Sequence, residues 1–292
     1  MKFNNPIVNG YYADPEARFY EGKYYIYVTR SFTEYEKQLN IDAFSSTDLV
    51  TWEKHEGIIQ MEDFPHMYRA TWAPTIIEKN GKYYLIFATN DIHSDEEAGG
   101  LEIAVSNTPD GPFRGYLGKP LVGEFINGAQ PIDAHLFKDD DGTIYLYYGG
   151  WSHCNVAVMN DDMTGFVPFE DADLFKEITP PSYVEGPCML KKGDTYFFMW
   201  SKGNWTDGSY SVCYATSKSP LSGFTEPKTI LQRQDGIAEG PGHHGYLHIE
   251  ENDTWLIVYH RRFIGDKEIG NRVLCIDEMK VHEHKIEEII MT

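Results

Sequence analysis

Five copies of one hairpin pattern recur along the 292-residue chain, and they constrain its fold more than any other feature. Each copy is a turn containing Gly or Asn followed by an aromatic and β-branched run, which is typical of a β-hairpin. The copies start 59, 61, 51 and 59 residues apart, at Glu21, Asn80, Asp141, Lys192 and Glu251. A third strand-like segment follows each hairpin. Repeats of this kind predict an all-β fold, a five-bladed β-propeller with about four strands per blade.

A pair of β-sandwiches is the alternative all-β fold, but sandwiches do not predict a near-constant period. No linker rich in Pro or Ser interrupts the repeats. We therefore expect residues 1–292 to form a single propeller domain.

The charge of the chain limits its partners. It has 45 acidic and 25 basic residues, a formal net charge of −20, which argues against binding to nucleic acid or to an anionic membrane surface. The N-terminal segment has no apolar signal-peptide region, and the four cysteines have no paired spacing. We expect a cytoplasmic protein whose substrate is short enough to be imported.

One position upstream of each hairpin holds a residue that can take part in binding or catalysis. It lies eight or nine residues before the Gly or Asn of the turn, and the five residues are Asp14, Trp72, Asp133, Glu185 and His243. Since the first strand of each propeller blade lines the central axis, these side chains should converge at one mouth of the channel. Each acidic residue could instead cap its own turn, but capping does not require matched positions. Three carboxylates in one pocket repel one another unless their protonation states differ or a ligand needs them.

Four segments resemble motifs of glycoside hydrolase family 43: "ADPEARFYEGKYYIY", "WAP", "IDAHLFKDDDGTIYL" and "VEGPCMLKKGDTYFFMWS". The resemblance extends over all five repeats. It implies an inverting hydrolase acting on glycosides of arabinose and xylose. It also implies that Asp14 is the general base, that Glu185 is the general acid, and that Asp133 tunes the pKa of the acid and orients it.

The residue types suit this chemistry independently of the resemblance. Inverting hydrolysis needs one protonated carboxyl at the leaving oxygen and one ionised carboxylate that activates water, about 6.5–9.5 Å apart. Residues that reach across a channel from different blades suit such a gap. Asp133, on the blade next to Glu185, should raise the pKa of the glutamate by like-charge proximity.

Four further residues are predicted to bind substrate. Trp72 should provide an apolar wall against a sugar face. Phe32 resembles an aromatic subsite residue of the family, and Arg272 resembles an arginine that contacts substrate hydroxyls. His243 resembles a histidine that lies near an axial calcium or water cluster in many members. Calcium prefers oxygen ligands, so a metal at His243 is a possibility beside simple hydrogen bonding to the carboxylates, and we expect no required cofactor.

The expected substrate is a small oligosaccharide. Family β-xylosidases commonly carry a C-terminal β-sandwich that closes the pocket, whereas this sequence ends at Thr292 after the fifth repeat. This favours an exo-acting α-L-arabinofuranosidase on oligosaccharides derived from arabinoxylan or arabinan. A β-xylosidase or bifunctional enzyme is the alternative. A non-catalytic sugar-binding propeller is a third possibility, although it would not need an acid and a base. The related fructan hydrolases carry an Arg-Asp-Pro motif that does not occur in this sequence.

Overall fold

The computed structural model describes residues 3–292, which form five antiparallel β-sheets. The prediction of an all-β, five-bladed β-propeller is confirmed. Blade 1 contains β1 (Tyr12–Tyr20), β2 (Lys23–Arg30), β3 (Ile41–Ser46) and β4 (Glu53–His55). Blade 2 contains β5 (Trp72–Lys79), β6 (Lys82–Thr89), β7 (Gly100–Ser106) and β8 (Arg114–Gly115). Blade 3 contains β9 (His135–Lys138), β10 (Ile144–Tyr148), β11 (Asn155–Met159), β12 (Phe166–Val167) and β13 (Lys176–Glu177). Blade 4 contains β14 (Glu185–Lys192), β15 (Thr195–Lys202), β16 (Ser211–Ser217) and β17 (Lys228–Leu231). Blade 5 contains β18 (Glu239–Ile249), β19 (Thr254–Arg262) and β20 (Val273–Glu278).

Two blades depart from the expected four strands. In blade 3 a fifth short strand, β13, pairs with β11 beside β12. Blade 5 has three strands, and the N-terminal segment lies along the outer side of β20. There the amide of Ile7 donates to the carbonyl of Leu274 at 3.0 Å, and the amide of Tyr12 donates to the carbonyl of Arg272 at 2.8 Å. The segment that contains Ile7 and Tyr12 therefore covers the edge of the last blade and closes the ring.

The recurring hairpins form as the sequence predicts. Glu21 and Gly22 join β1 to β2, and both have positive φ, 51° and 80°. Asn80 and Gly81 join β5 to β6 with φ values of 54° and 74°. Two successive positive φ angles define a type I′ turn, whose twist matches that of the flanking strands.

The apolar core is divided among the spaces between the blades. Side chains along a strand point alternately to its two faces, so Tyr25 and Tyr27 of β2 pack toward blade 2 while Ile26 and Val28 pack toward blade 5. Five buried clusters result, each shared by two neighbouring blades. Because both faces of each sheet are covered, the inner strands are apolar on both sides. All four cysteines are buried free thiols.

Helical structure in residues 3–292 consists of short 3₁₀ turns at Tyr35–Lys37, Met61–Asp63 and Glu250–Asn252. No helix in this range has the length and apolar character needed to span a membrane.

Candidate active site

The innermost strands share an irregular beginning that opens their first side chains toward the axis. Pairing with the second strand shifts register near the start of β1, β5, β14 and β18. One residue per blade adopts positive φ at this point, between 34° and 63°, namely Asp14, Ala73, Asp133, Gly186 and His243. A β-bulge adds a residue to one strand and re-aims a side chain. Local backbone irregularity thus brings the polar residues to one mouth of the channel.

This geometry refines the predicted register. Asp14, Asp133 and His243 occupy the left-handed position of their blades, as a shared register requires. In blades 2 and 4 that position is held by Ala73 and Gly186, so Trp72 and Glu185 come one residue earlier. Counted from the left-handed position, the distance to the Gly or Asn of the hairpin turn is 8, 8, 9, 7 and 9 residues in blades 1 to 5, and this variation concealed the offset. Both side chains nevertheless line the same cavity as the other three.

The imidazole of His243 links the two aspartates. Its Nδ1 lies 3.4 Å from Oδ1 of Asp14 and 3.4 Å from Oδ2 of Asp133. The two carboxyl oxygens are therefore separated by less than twice that distance. The amide of Gly186 donates to Oδ2 of Asp133 at 3.0 Å and so connects Glu185, its neighbour in sequence, to the same group. Residues of blades 1, 3, 4 and 5 are thus connected to one another around His243 and the carboxyl group of Asp133.

Asp14 is surrounded by groups that favour its ionised form. Burial by itself raises the pKa of Asp14, but nearby positive charge, that of Arg272 above all, outweighs burial and holds the pKa below its ordinary value. Nη1 of Arg272 lies 3.2 Å from Oδ1, and Nδ1 of His260 lies 3.3 Å from the same oxygen. Nδ1 of His260 also accepts a hydrogen bond from the amide of Asp14 at 3.1 Å. Burial lowers the pKa of His260 to about 4, so this imidazole is neutral near neutral pH. Asp14 is therefore the carboxyl group of the site that is held in its ionised form.

Glu185 has the opposite electrostatic environment. Burial, followed by the charge of Asp133, raises the pKa of Glu185 to about 7. Burial and the charge of Asp14 also raise the pKa of Asp133 well above its ordinary value. The two groups titrate as a pair, and the pair retains a proton near neutral pH. The hydroxyl of Tyr210 donates to Oε1 of Glu185 at 2.7 Å, which leaves Oε2 to carry a proton.

Gly186 occupies a crowded position beside His243 and Ser201. Its φ of 63° lies in the left-handed region, which other residues adopt at a cost. A Cβ at this position would lie 3.2 Å from both Cγ of His243 and Oγ of Ser201. Glycine after Glu185 therefore allows the amide to approach Asp133 while His243 packs against the backbone.

These groups line a cavity of about 280 Å³. This volume is near the lower end of the range for small-molecule sites. Aromatic side chains form part of its wall: Tyr35, Trp72, Trp151 and Trp205. A second cavity, of about 350 Å³, lies toward the other ends of the inner strands around Arg18 and Tyr246. Of these two cavities, the first is the one lined by Asp14, Asp133 and Glu185, and it is the candidate active site.

Trp72 and Arg272 both line the cavity. Trp72 packs edge-on against Tyr35, with ring centroids 5.0 Å apart, and its indole N–H donates to Gln38. The guanidinium of Arg272 donates to Oγ of Ser31 at 2.9 Å and lies over the ring of Trp205 at 5.1 Å. These contacts fix both side chains before any ligand binds.

The structure does not bring Phe32 into the cavity wall. Its side chain is 43% exposed on the loop after β2, and it is not among the side chains that line the cavity. Only its carbonyl oxygen is connected to the site, since it accepts a hydrogen bond from Gln38. The close approach of Gly270 to the backbone of Phe32 helps to set the position of this loop. On this loop the aromatic residue that lines the cavity is Tyr35.

Several lining residues escaped the sequence analysis because they lie on loops or in ordinary strand patterns. They are Tyr35, Gln38, Asp91, His93, Gln130, Trp151 and Trp205. Tyr210 was missed as well, because a tyrosine next to a strand is usually interpreted as part of the apolar core. Gly242, in the Gly-Pro-Gly of blade 5, lies against this residue, since a Cβ there would come within 2.1 Å of the ring of Tyr210.

The axis offers few ligands for calcium. Within residues 3–292, no group of three or more His, Cys, Asp or Glu side chains is arranged to hold a metal ion. His244 is buried and neither ring nitrogen has a protein partner, but calcium prefers six to eight oxygen ligands. The nearby carboxylate of Glu16 is already paired with Arg18. These residues do not fit a calcium site built from protein ligands, and no catalytic step is assigned to a metal.

Comparison with known proteins places these features in context. The model of the family "Glycosyl hydrolases family 43" matches residues 3–286. A β-D-galactofuranosidase of Aspergillus niger is 42% identical, over 97% of this chain and 83% of its own length. The solved structure of an α-L-arabinofuranosidase from Clostridium thermocellum is 27% identical with a TM-score of 0.77, covering 96% of this chain and 94% of that one. A β-xylosidase/α-arabinofuranosidase from a compost metagenome, solved with xylotriose in a calcium-free form, is 27% identical with a TM-score of 0.79, covering 98% and 96%.

Proposed function

The chain belongs to glycosyl hydrolase family 43, and on this premise we propose that it is an inverting, exo-acting α-L-arabinofuranosidase. It removes terminal arabinose from short oligosaccharides derived from arabinoxylan or arabinan. One observation carries the proposal: a single small cavity holds Asp14 with a lowered pKa and Glu185 with a raised one. Carboxyls whose environments push their pKa values apart are the mark of an acid and base pair.

The reaction assigns one task to each carboxyl. Glu185 transfers its proton to the glycosidic oxygen as the bond from that oxygen to the anomeric carbon breaks. Asp14 takes a proton from a water molecule, whose oxygen bonds to the anomeric carbon from the opposite face. The products are an alcohol and a sugar of inverted anomeric configuration. Asp133 keeps Glu185 protonated and, through the amide of Gly186, positions it.

The surrounding residues support this division. Arg272 and His243 stabilise the negative charge on Asp14, and Arg272 keeps donors that can reach sugar hydroxyls. Trp72 offers an apolar surface to a sugar ring. The cavity volume of about 280 Å³ suits a terminal sugar better than a long polymer segment, which favours exo action.

A second candidate activity is hydrolysis of β-D-galactofuranosides. It is favoured by the 42% identity to a β-D-galactofuranosidase. The two sugars have the same configuration around the furanose ring, so one catalytic arrangement can serve both. They differ in the exocyclic chain, which carries one hydroxyl in arabinofuranose and two in galactofuranose.

A panel of nitrophenyl glycosides tests the proposal: α-L-arabinofuranoside, β-D-galactofuranoside and β-D-xylopyranoside, beside arabino-oligosaccharides and intact arabinan. We expect release of arabinose, faster from oligosaccharides than from polymer. Activity confined to the xylopyranoside would show a β-xylosidase and overturn the proposal. Sugar binding without hydrolysis of any glycoside would instead identify a binding propeller.

A further inference from the structure

One side of the cavity is formed by residues to which the proposed reaction assigns no task. We call it the distal wall and define it by Asp91, His93, Gln130 and Trp151, from blades 2 and 3. Asp91 and His93 lie on the loop between β6 and β7, while Gln130 and Trp151 flank β9 and β10. A fourth carboxyl, that of Asp91, therefore faces a cavity whose catalysis needs only three.

Asp91 is held in place by its neighbours. Nε2 of Gln130 donates to its Oδ1 at 3.0 Å, and Nε2 of His93 lies 3.3 Å from its Oδ2. The guanidinium of Arg69 donates to the carbonyls of Asn90 and Asp91 at 2.9 Å and 3.4 Å and fixes the backbone. The side chain of Asp91 is only 16% exposed. A carboxylate accepts about four hydrogen bonds, so acceptor capacity remains on both oxygens for a ligand.

Trp151 gives the distal wall an aromatic surface. Its side chain is 49% exposed, yet it is held between two rings: Phe125 at 4.9 Å and His93 at 5.5 Å between centroids. A preformed apolar surface beside a few placed polar groups is the usual composition of a small-molecule site. The distal wall thus combines an aromatic surface, the ring of Trp151, with an oriented hydrogen-bond acceptor, the carboxylate of Asp91.

Tyr35 connects the distal wall electrostatically to the catalytic centre. Burial raises the pKa of its phenol, with further contributions from the charges of Asp91 and Glu185. Tyr35, Asp91 and Glu185 all line the same cavity of about 280 Å³. In a cavity this small, Asp91 can contact the same terminal sugar as the acid rather than a distant part of the substrate.

We propose that Asp91, held by Gln130 and His93, binds the exocyclic vicinal diol of a terminal β-D-galactofuranosyl group. Two adjacent hydroxyls match the two acceptor oxygens of one carboxylate. The distal wall then determines whether a hexofuranoside is accepted beside the pentofuranoside. This inference rests on the proposed furanosidase function and names the residue that sets its range.

Binding measurements can test the inference without relying on turnover. The parent protein is the Glu185→Gln variant, titrated by calorimetry with methyl β-D-galactofuranoside and methyl α-L-arabinofuranoside. Asp91→Ala and Asp91→Asn are added to this parent. Glu96→Gln, at an exposed position on the same loop, is the control for the loss of a negative charge. Arabinofuranoside binding reports whether each variant is folded.

We expect Asp91→Ala to weaken galactofuranoside binding about 10- to 100-fold, the size typical of hydrogen bonds to a charged group. Asp91→Asn should lie between Asp91→Ala and the parent, because an amide keeps one acceptor. Arabinofuranoside binding should change less than about twofold, and Glu96→Gln should change neither. Equal losses for both sugars, no loss for either, or no galactofuranoside binding by the parent would overturn the inference. If the parent binds both sugars but the wild-type protein hydrolyses neither, the proposed function fails while the assignment of Asp91 stands on the binding data.

Discussion

Replacing Glu185 by glutamine is the most direct test of the proposed acid. Burial and the charge of Asp133 raise the pKa of Glu185 from the ordinary 4.5 to about 7, so the pair that Glu185 forms with Asp133 retains a proton near pH 7, where an ordinary glutamate would be almost fully ionised. The amount of available acid at this pH is therefore higher by roughly two orders of magnitude. An amide cannot transfer the proton at all. We expect Glu185→Gln to lose about 10²–10⁴-fold in kcat/KM on alkyl α-L-arabinofuranosides, equivalent to about 3–5 kcal/mol of transition-state stabilisation.

The dependence on the leaving group and on pH distinguishes an acid from a residue that only binds. A dinitrophenolate departs without protonation, so the loss on a dinitrophenyl arabinofuranoside should be less than about tenfold. The wild-type rate on alkyl glycosides should fall about tenfold per pH unit above pH 7, since the active form carries the proton. In the variant this alkaline limb should disappear. Glu170→Gln, at an exposed position, serves as the control. Equal losses on both substrates, or an alkaline limb that persists in the variant, would refute the assignment.

Three further outcomes follow from the same site. Asp14→Asn should abolish hydrolysis of both alkyl and dinitrophenyl substrates, because water must be activated whatever group leaves. Proton NMR of the wild-type reaction should show the inverted anomer first. A first product with retained configuration would contradict the role of Asp14. Arg272→Met should move the acid limb of the pH–rate profile to higher pH, because Arg272 lowers the pKa of Asp14 and Asp14 must be ionised for activity. Arg272→Lys keeps the positive charge and should move the limb less. An acid limb that stays in place in Arg272→Met would exclude this coupling. Tyr210→Phe should move the alkaline limb of the profile to a pH above 7, because the hydrogen bond from the Tyr210 hydroxyl lowers the pKa of Glu185. A shift of this limb to lower pH would show that the hydroxyl stabilises the protonated acid instead.

The repeats predicted the fold because hairpin formation depends on local signals. Turns such as Asn80-Gly81 favour one conformation whatever surrounds them, and a constant spacing between turns leaves few architectures. The three carboxyls could be placed at one mouth for the same reason, since position along an inner strand determines height in the channel. The role of Asp133 beside Glu185 remains a prediction that the raised pKa of Glu185 supports.

Other features could not be predicted because they depend on tertiary packing. The one-residue offset of Glu185 results from a bulge, and bulges have no reliable signal in an inner strand that is apolar on both sides. The distal wall combines loops from two blades, and nothing in the sequence near Asp91 indicates that Gln130 lies beside it. Phe32 illustrates the opposite case, an aromatic residue close to the site in sequence that is not among the side chains lining the cavity. Loop conformation decides each of these cases.

The sharing of every apolar cluster by two neighbouring blades has a consequence for how the protein unfolds. An open stack of repeats has two end units, each with a single neighbour, and can fray inward from them. In this ring no blade is an end unit, because the cluster between blades 1 and 5 joins the first repeat to the last. Detaching any blade would expose apolar surface on both of its faces and on two neighbours at once. Partly open rings are therefore high in free energy, and folding should be a single cooperative transition. The axial mouth with its three carboxyls then forms together with the whole ring or not at all.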